Sequence, residues 1–158
     1  MLKEKHPVKF QIWDTAGQEK YESLAPMYYR KAGAAIVMYD LTSLATFERL
    51  QDWVRELGEN GPQDIVVACV GNKLDLAEEG AREVSAADAR EFARSVRALY
   101  FETSARTGEG VKEVFEAIAD EVVGRRPGGA PEEDDRVDLD AVKPRDSRKK
   151  AGGKGGCC

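Results

Sequence analysis

Strand-like and helix-like runs alternate along most of this 158-residue chain, and that alternation leaves few folds open. Runs rich in β-branched and aromatic side chains recur at Val8–Trp13, Ala34–Leu41, Ile65–Val70 and Leu99–Phe101, each leaving into a polar or glycine-bearing loop. Between them the apolar period is helical. Phe47, Leu50, Val54 and Leu57 share one face, Ala89, Phe92, Ala93 and Val96 a second, and Val111, Val114, Phe115, Ile118, Ala119 and Val122 a third. Ser85, with Asp88 three residues on, predicts the N-cap of the middle helix, and Gly124 predicts the stop of the last. A strand followed by a helix and another strand needs a crossover connection, so the expected fold is α/β, a mostly parallel sheet buried under helices on both faces.

In such sheets ligands bind at the loops that leave the carboxyl ends of the strands. Here those loops are Asp14-Thr15-Ala16-Gly17, Asn72-Lys73-Leu74-Asp75 and Thr103-Ser104-Ala105, which the topology places on one sheet edge. A carboxylate at Asp75 accepts two hydrogen bonds from adjacent donors. Guanine offers that pair, the ring N1–H and the exocyclic N2 amine, whereas adenine presents an acceptor at N1 and no N2 amine. Lys73 can lay its methylene stem over the base, and Asn72 can tie its loop to a neighbour. The Ala105 N–H suits guanine O6, with Thr103 and Ser104 bracing Asp75. Asp14, at the end of the first strand, suits a magnesium ion held through water, Gly17 can bring its N–H against a γ-phosphate, and Gln18 can orient a water for in-line attack.

Charge removes one class of function. A net charge of -5 argues against nucleic-acid binding, which favours a basic face. Three cysteines, Cys69 in an apolar run and Cys157-Cys158 at the end, make no disulfide framework and suit a reducing compartment. Cys69 reads as core packing. The longest apolar runs, such as Ile65 to Val70, are too short to span a bilayer. Beyond Gly124 apolar periodicity ceases, and residues 125–156 are expected to be a disordered tail. Its charge is segregated: an acidic stretch from Glu132 to Asp140 of about -5 precedes a basic one from Lys143 to Lys154 of about +5.

Trp13-Asp14-Thr15-Ala16-Gly17-Gln18-Glu19, Asn72-Lys73-Leu74-Asp75 and Glu102-Thr103-Ser104-Ala105 resemble three guanine-nucleotide motifs of the Ras-superfamily small GTPases, in order and at family-like spacing. Lys9-Phe10-Gln11-Ile12-Trp13, Lys20-Tyr21-Glu22-Ser23, Tyr28-Tyr29-Arg30-Lys31-Ala32 and Val37-Met38-Tyr39-Asp40-Leu41-Thr42 narrow the resemblance to Rab proteins. Ser23-Leu24-Ala25-Pro26-Met27-Tyr28-Tyr29-Arg30 is similar to the early-endosomal branch. The resemblance runs from Val8 to Gly124. It implies a P-loop-NTPase-like G domain over residues 1–124, binding GTP or GDP with magnesium through Asp14, Gly17, Asn72, Lys73, Asp75, Ser104 and Ala105, with Gln18 catalytic. It implies a switch over Gly17 to Arg30 and an effector surface that includes Trp13 and Tyr28.

The ending Cys157-Cys158 resembles the Rab terminus that receives two geranylgeranyl groups. Two such chains give stable anchoring, at about 0.8 kcal/mol per buried CH₂, and the basic stretch adds attraction to anionic lipids. The partners implied are effectors, an exchange factor, a GTPase-activating protein, a prenylation escort and a GDP-dissociation inhibitor. The implied state is a monomer that cycles between cytosol and the cytoplasmic face of endosomal membranes.

The chain departs from the pattern in one large respect. The phosphate-gripping G-x-x-x-x-G-K-[ST] occurs nowhere in it, and neither does the magnesium-binding Thr of switch I, which the family places before the strand at Val8. The G domain is thus expected to be incomplete at its N-terminus, with exposed sheet edges and poor GTP affinity for the chain alone. The alternative is a nucleotide-independent Rab remnant that keeps only interaction surfaces. Two smaller departures, Lys31 for the usual Gly and Arg106 for the usual Lys, are expected to change little.

Overall fold

The computed structural model describes residues 8–14 and 29–125. Three of the four anticipated strands form: β1 (Ala34–Asp40), β2 (Val66–Asn72) and β3 (Leu99–Glu102). They lie in the order β1-β2-β3 and both pairings are parallel, with Ala34 opposite Val66, Asp40 opposite Asn72 and Gly71 opposite Glu102. Helices α1 (Leu44–Asn60) and α2 (Ala86–Ser95) provide the two crossovers, and α3 (Val111–Arg125) follows β3.

The period-two alternation of the strands divides the core between two faces. Tyr39 and Cys69 meet Phe47, Leu50 and Val54 of α1 and Ala89 and Ala93 of α2 on one side. On the other, Ala68 and Val70 pack against Val114 and Ile118 of α3. All four residues expected on the buried face of α1 are buried. Of the α2 set, Ala89 and Ala93 are buried, Phe92 is half-buried and Val96 is exposed, because the helix has ended before it. Cys69 is 1% exposed, and burial pushes its thiol up to about 11, so it is unreactive packing. Gly71 permits the close layer above β2: a Cβ there would lie 2.6 Å from Leu41 Cδ2 and 2.9 Å from the Tyr39 ring.

The first anticipated strand does not form. Residues 8–14 have no strand pairing and are exposed, with Ile12 72% accessible, although Val8, Phe10 and Ile12 alternate as a half-buried strand would. Alternation specifies a face, but a strand persists only when a neighbour satisfies its backbone N–H and C=O groups, and the described sheet offers this segment none. Phe10 of this segment lies edge-on to Phe115 of α3 at 5.4 Å between ring centres. The sheet is also less covered than expected. Ile36 and Met38, on the α3 side of β1, are 39% and 53% exposed because α3 lies over β2 and β3.

Two boundaries refine the expectation. The helix α3 runs through Gly124 to Arg125. At the start of α2 the Ser85 side chain accepts a hydrogen bond from the Ala87 N–H at 3.2 Å, while Asp88 contributes only its charge in the first turn. Ser85→Ala is expected to lower stability by about 1 kcal/mol, measured by urea denaturation, by removing that cap.

Candidate functional site

The loops after β2 and β3 meet because their strands are adjacent and parallel. The Leu74 N–H donates to the Thr103 carbonyl at 3.0 Å and the Thr103 N–H to the Gly71 carbonyl at 2.7 Å, which locks the two loops together. Thr103 therefore braces the site through its backbone. Ser104 is fully buried, and its Oγ donates to Asp75 Oδ1 at 2.7 Å. The same Oγ accepts from the Thr107 N–H at 3.2 Å, so the hydroxyl has a fixed direction. The Ser104 bond, followed by the residue's own backbone N–H and by Arg106, holds the Asp75 carboxyl below the usual carboxylate range against the opposing effect of desolvation.

Asn72 ties the loops from the other side, its Oδ1 accepting the Ala105 N–H at 2.9 Å. This differs from the expectation that the Ala105 N–H waits for guanine O6. The side-chain carbonyl of Asn72, placed by the end of β2, reaches it first. Arg106, a departure expected to change little, comes within 3.5 Å of Asp75 Oδ2 while its side chain stays 75% exposed. A guanidinium presents the same kind of donors as the guanine edge, so Asp75 has one oxygen fixed by a buried hydroxyl and the other facing a loosely held donor.

Lys73 takes a left-handed backbone conformation, φ 68° and ψ 40°, and its ammonium lies 2.6 Å from Asp40 Oδ2 at the end of β1. Asp40 was missed in the sequence as a site residue. The signal available was its place at the end of a buried strand, followed by Thr42, whose N–H and Oγ1 both donate to Asp40 Oδ1. A second missed group supports the Ser104 loop from below. Arg82 makes a two-pronged bond to Glu102, Nη1 to Oε1 at 2.9 Å and Nη2 to Oε2 at 2.8 Å, and the Tyr100 hydroxyl donates to the same Oε1.

The structure thus brings together Asn72, Lys73, Asp75, Ser104 and Ala105. Asp14 ends the exposed 8–14 segment, which forms no strand among the described residues. Trp13, in the same segment, is half exposed. Gly17, Gln18, Tyr28, Cys157 and Cys158 lie outside the described residues. Magnesium needs near-octahedral oxygen ligands, and among the described residues no group of three or more His, Cys, Asp or Glu is placed to hold a metal. One exposed carboxylate does not make that site. Among the described residues no helix is long and apolar enough to cross a membrane.

Comparison with known proteins follows the same outline. The sequence profile described as "Ras family" matches residues 1–124. The GTP-binding protein ypt5 of Schizosaccharomyces pombe is 54% identical over 118 residues, 75% of this chain and 56% of ypt5. The Ras-related protein Rab-31 of Rattus norvegicus is 50% identical over 72% of the chain and 57% of its own length. Rab-5A of Dictyostelium discoideum is 54% identical over 71% of the chain and 55% of its own length. The chain spans a little over half the length of these curated relatives.

Proposed function

The chain belongs to the Ras family, in the Rab branch that holds the Rab5-type and ypt5-type proteins, and on that premise we propose that it acts as a guanine-nucleotide switch of endosomal vesicle traffic. The observation that carries this reading is the Asp75 carboxylate, set by the buried Ser104 hydroxyl and met on its outer oxygen by the exposed Arg106. The guanine N1–H and N2 amine displace that guanidinium and give the carboxylate two short donors. Adenine removes the guanidinium and returns one acceptor, so it is rejected by a few kcal/mol. Lys73 lays its stem across the ring, and Asn72 keeps the two loops in register.

The remaining roles follow from the family. Gln18 orients the attacking water, Gly17 senses the γ-phosphate, and Trp13 and Tyr28 carry effector contacts in the GTP form. Exchange factor, GTPase-activating protein, escort and dissociation inhibitor are the partners that family membership implies. Cys157 and Cys158 take two prenyl groups, residues 125–156 serve as the tether, and the product is held at the cytoplasmic face of endosomes. Ras-family proteins bind GTP with magnesium as a class; the described residues of this chain do not by themselves form the ion's site.

A second reading, a nucleotide-independent interaction protein of Rab descent, is favoured by one observation: the strand expected to end at Asp14 does not form among the described residues. Competition binding separates the two. With no glycine-rich phosphate loop in its sequence, the 158-residue chain is expected to bind a fluorescent GTP analogue more weakly than micromolar, and GTP and GDP but not ATP are expected to displace it. Equal displacement by ATP, or no binding at millimolar nucleotide, favours the interaction protein.

A further inference from the structure

Lys73 is one of two non-glycine residues with positive φ among those described, a conformation that L side chains disfavour. Such strain persists where the surroundings over-determine it. Three contacts do so here: Asn72 to the Ala105 N–H, Asp75 to Ser104, and the Lys73 ammonium to Asp40 Oδ2. The third is built with more care than an ordinary surface ion pair. The Asp40 side chain is only 19% exposed. Its Oδ1 is saturated by the Thr42 N–H at 2.8 Å and Thr42 Oγ1 at 2.7 Å, and its own N–H donates to Thr46 Oγ1 at 2.9 Å. The carboxylate is therefore fixed before Lys73 arrives, with one oxygen left to receive it. Burial pushes the Asp40 carboxyl up, but Lys73 and Thr42 together hold it below the usual range.

The sheet supplies the reach. Asp40 stands opposite Asn72 in the parallel register, so the end of β1 meets the residue that follows β2. Met38, Tyr39, Asp40, Thr46, Asn72 and Lys73 bound a cavity of about 280 Å³ at this point, close to the small end of the ~300–1,000 Å³ range of ligand pockets.

We propose that Asp40, oriented by Thr42, is the positioning residue of the base site: it seats the Lys73 ammonium at the strand ends so that the four-carbon stem is already laid out as an apolar wall for the guanine ring that Asp75 reads. This rests on the guanine reading above. A free lysine stem must be immobilised when a ring stacks on it, and anchoring its charged end beforehand removes part of that loss from the binding step. Asp40 itself makes no contact with the base, so its loss weakens every purine that stacks and leaves the choice between purines to Asp75.

The test uses the full 158-residue chain, ¹⁵N-labelled on lysine, titrated with guanosine and inosine. Wild type is expected to give a slowly exchanging Lys73 ammonium signal. In Asp40→Asn that signal disappears, affinity for both nucleosides falls ~5–10-fold, and their ratio stays constant. Thr42→Val, which loosens the carboxylate without removing its charge, shifts both readouts in the same direction by a smaller factor and serves if Asp40→Asn does not fold. Persistence of the ammonium signal in Asp40→Asn, or unchanged nucleoside affinity once it is lost, overturns the positioning role while leaving guanine recognition intact. Failure of wild type to bind either nucleoside overturns both, and an Asp40-dependent ammonium signal then marks a structural ion pair alone.

Discussion

Asp75→Asn is expected to exchange the base preference of the site, lowering guanine affinity by ~10²–10³-fold and raising that for xanthine, a change of about 3–4 kcal/mol. The carboxylate accepts from both guanine donors. An asparagine there offers one acceptor and one N–H₂ donor, and the donor collides electrostatically with the guanine N2 amine while matching the carbonyl that xanthine carries at the same position. The buried Ser104 hydroxyl makes the swap clean. It donates to Asp75 Oδ1 at 2.7 Å, and an asparagine oxygen in that place accepts the same bond, so the side chain is held with its amide pointing outward. Competition between guanosine and xanthosine nucleotides reads the exchange. Loss of both affinities together, with no gain for xanthine, would mean that Asp75 shapes the loop without touching a base.

Glu102→Gln is expected to cost about 2–4 kcal/mol of stability, because it leaves the Arg82 guanidinium, with a side chain 29% exposed, beside a neutral partner under the Ser104 loop. The two-pronged Arg82 bond is the largest influence on Glu102, and with the Tyr100 hydroxyl it outweighs burial and holds the Glu102 carboxyl below its ordinary 4.5. A depressed folded-state value contributes stability that is fully present above 4.5 and is lost as pH falls through the folded value. Denaturation midpoints in wild type should therefore fall as the solution is acidified below pH 4.5, and the part of that fall owed to Glu102 should vanish in Glu102→Gln. The alkaline limb has the opposite sign. Burial pushes Tyr39 up to about 12 from 10.0, so the neutral phenol it contributes is secure below pH 10 and is lost as pH rises towards 12. Tyr100, raised by burial and by its bond to Glu102, acts in the same direction. An unchanged urea midpoint for Glu102→Gln at pH 7 would remove the pair as a support of the loop.

The sequence exposed what periodicity encodes and concealed what depends on partners. Phe47, Leu50, Val54 and Leu57 were legible as one face because a helix of 3.6 residues per turn brings them together without reference to anything else. Asn72, Asp75 and Ser104 were legible as neighbours because parallel strands deliver their loops to one edge. Val8–Trp13 had an equally clear alternation, yet its strand failed to form, since alternation says nothing about who supplies the ladder. Asp40 and Lys73 are 33 positions apart, and Arg82 and Glu102 are 20 apart, so neither pair leaves a local pattern. The Ala105 N–H was assigned to a ligand by chemistry alone, and the length of the Asn72 side chain gave it a partner inside the chain.

Guanine recognition by the loops after β2 and β3 is measured most directly by titrating the 158-residue chain with guanosine, inosine and adenosine while following the backbone amides of residues 72–75 and 104–106 by NMR. Guanosine carries both donors, inosine only N1–H and adenosine neither, so affinities should fall in that order. The guanosine shifts should centre on Asp75, Ala105 and Arg106 as the guanidinium leaves. Equal shifts for the three nucleosides, or shifts centred away from these two loops, would contradict guanine reading at Asp75.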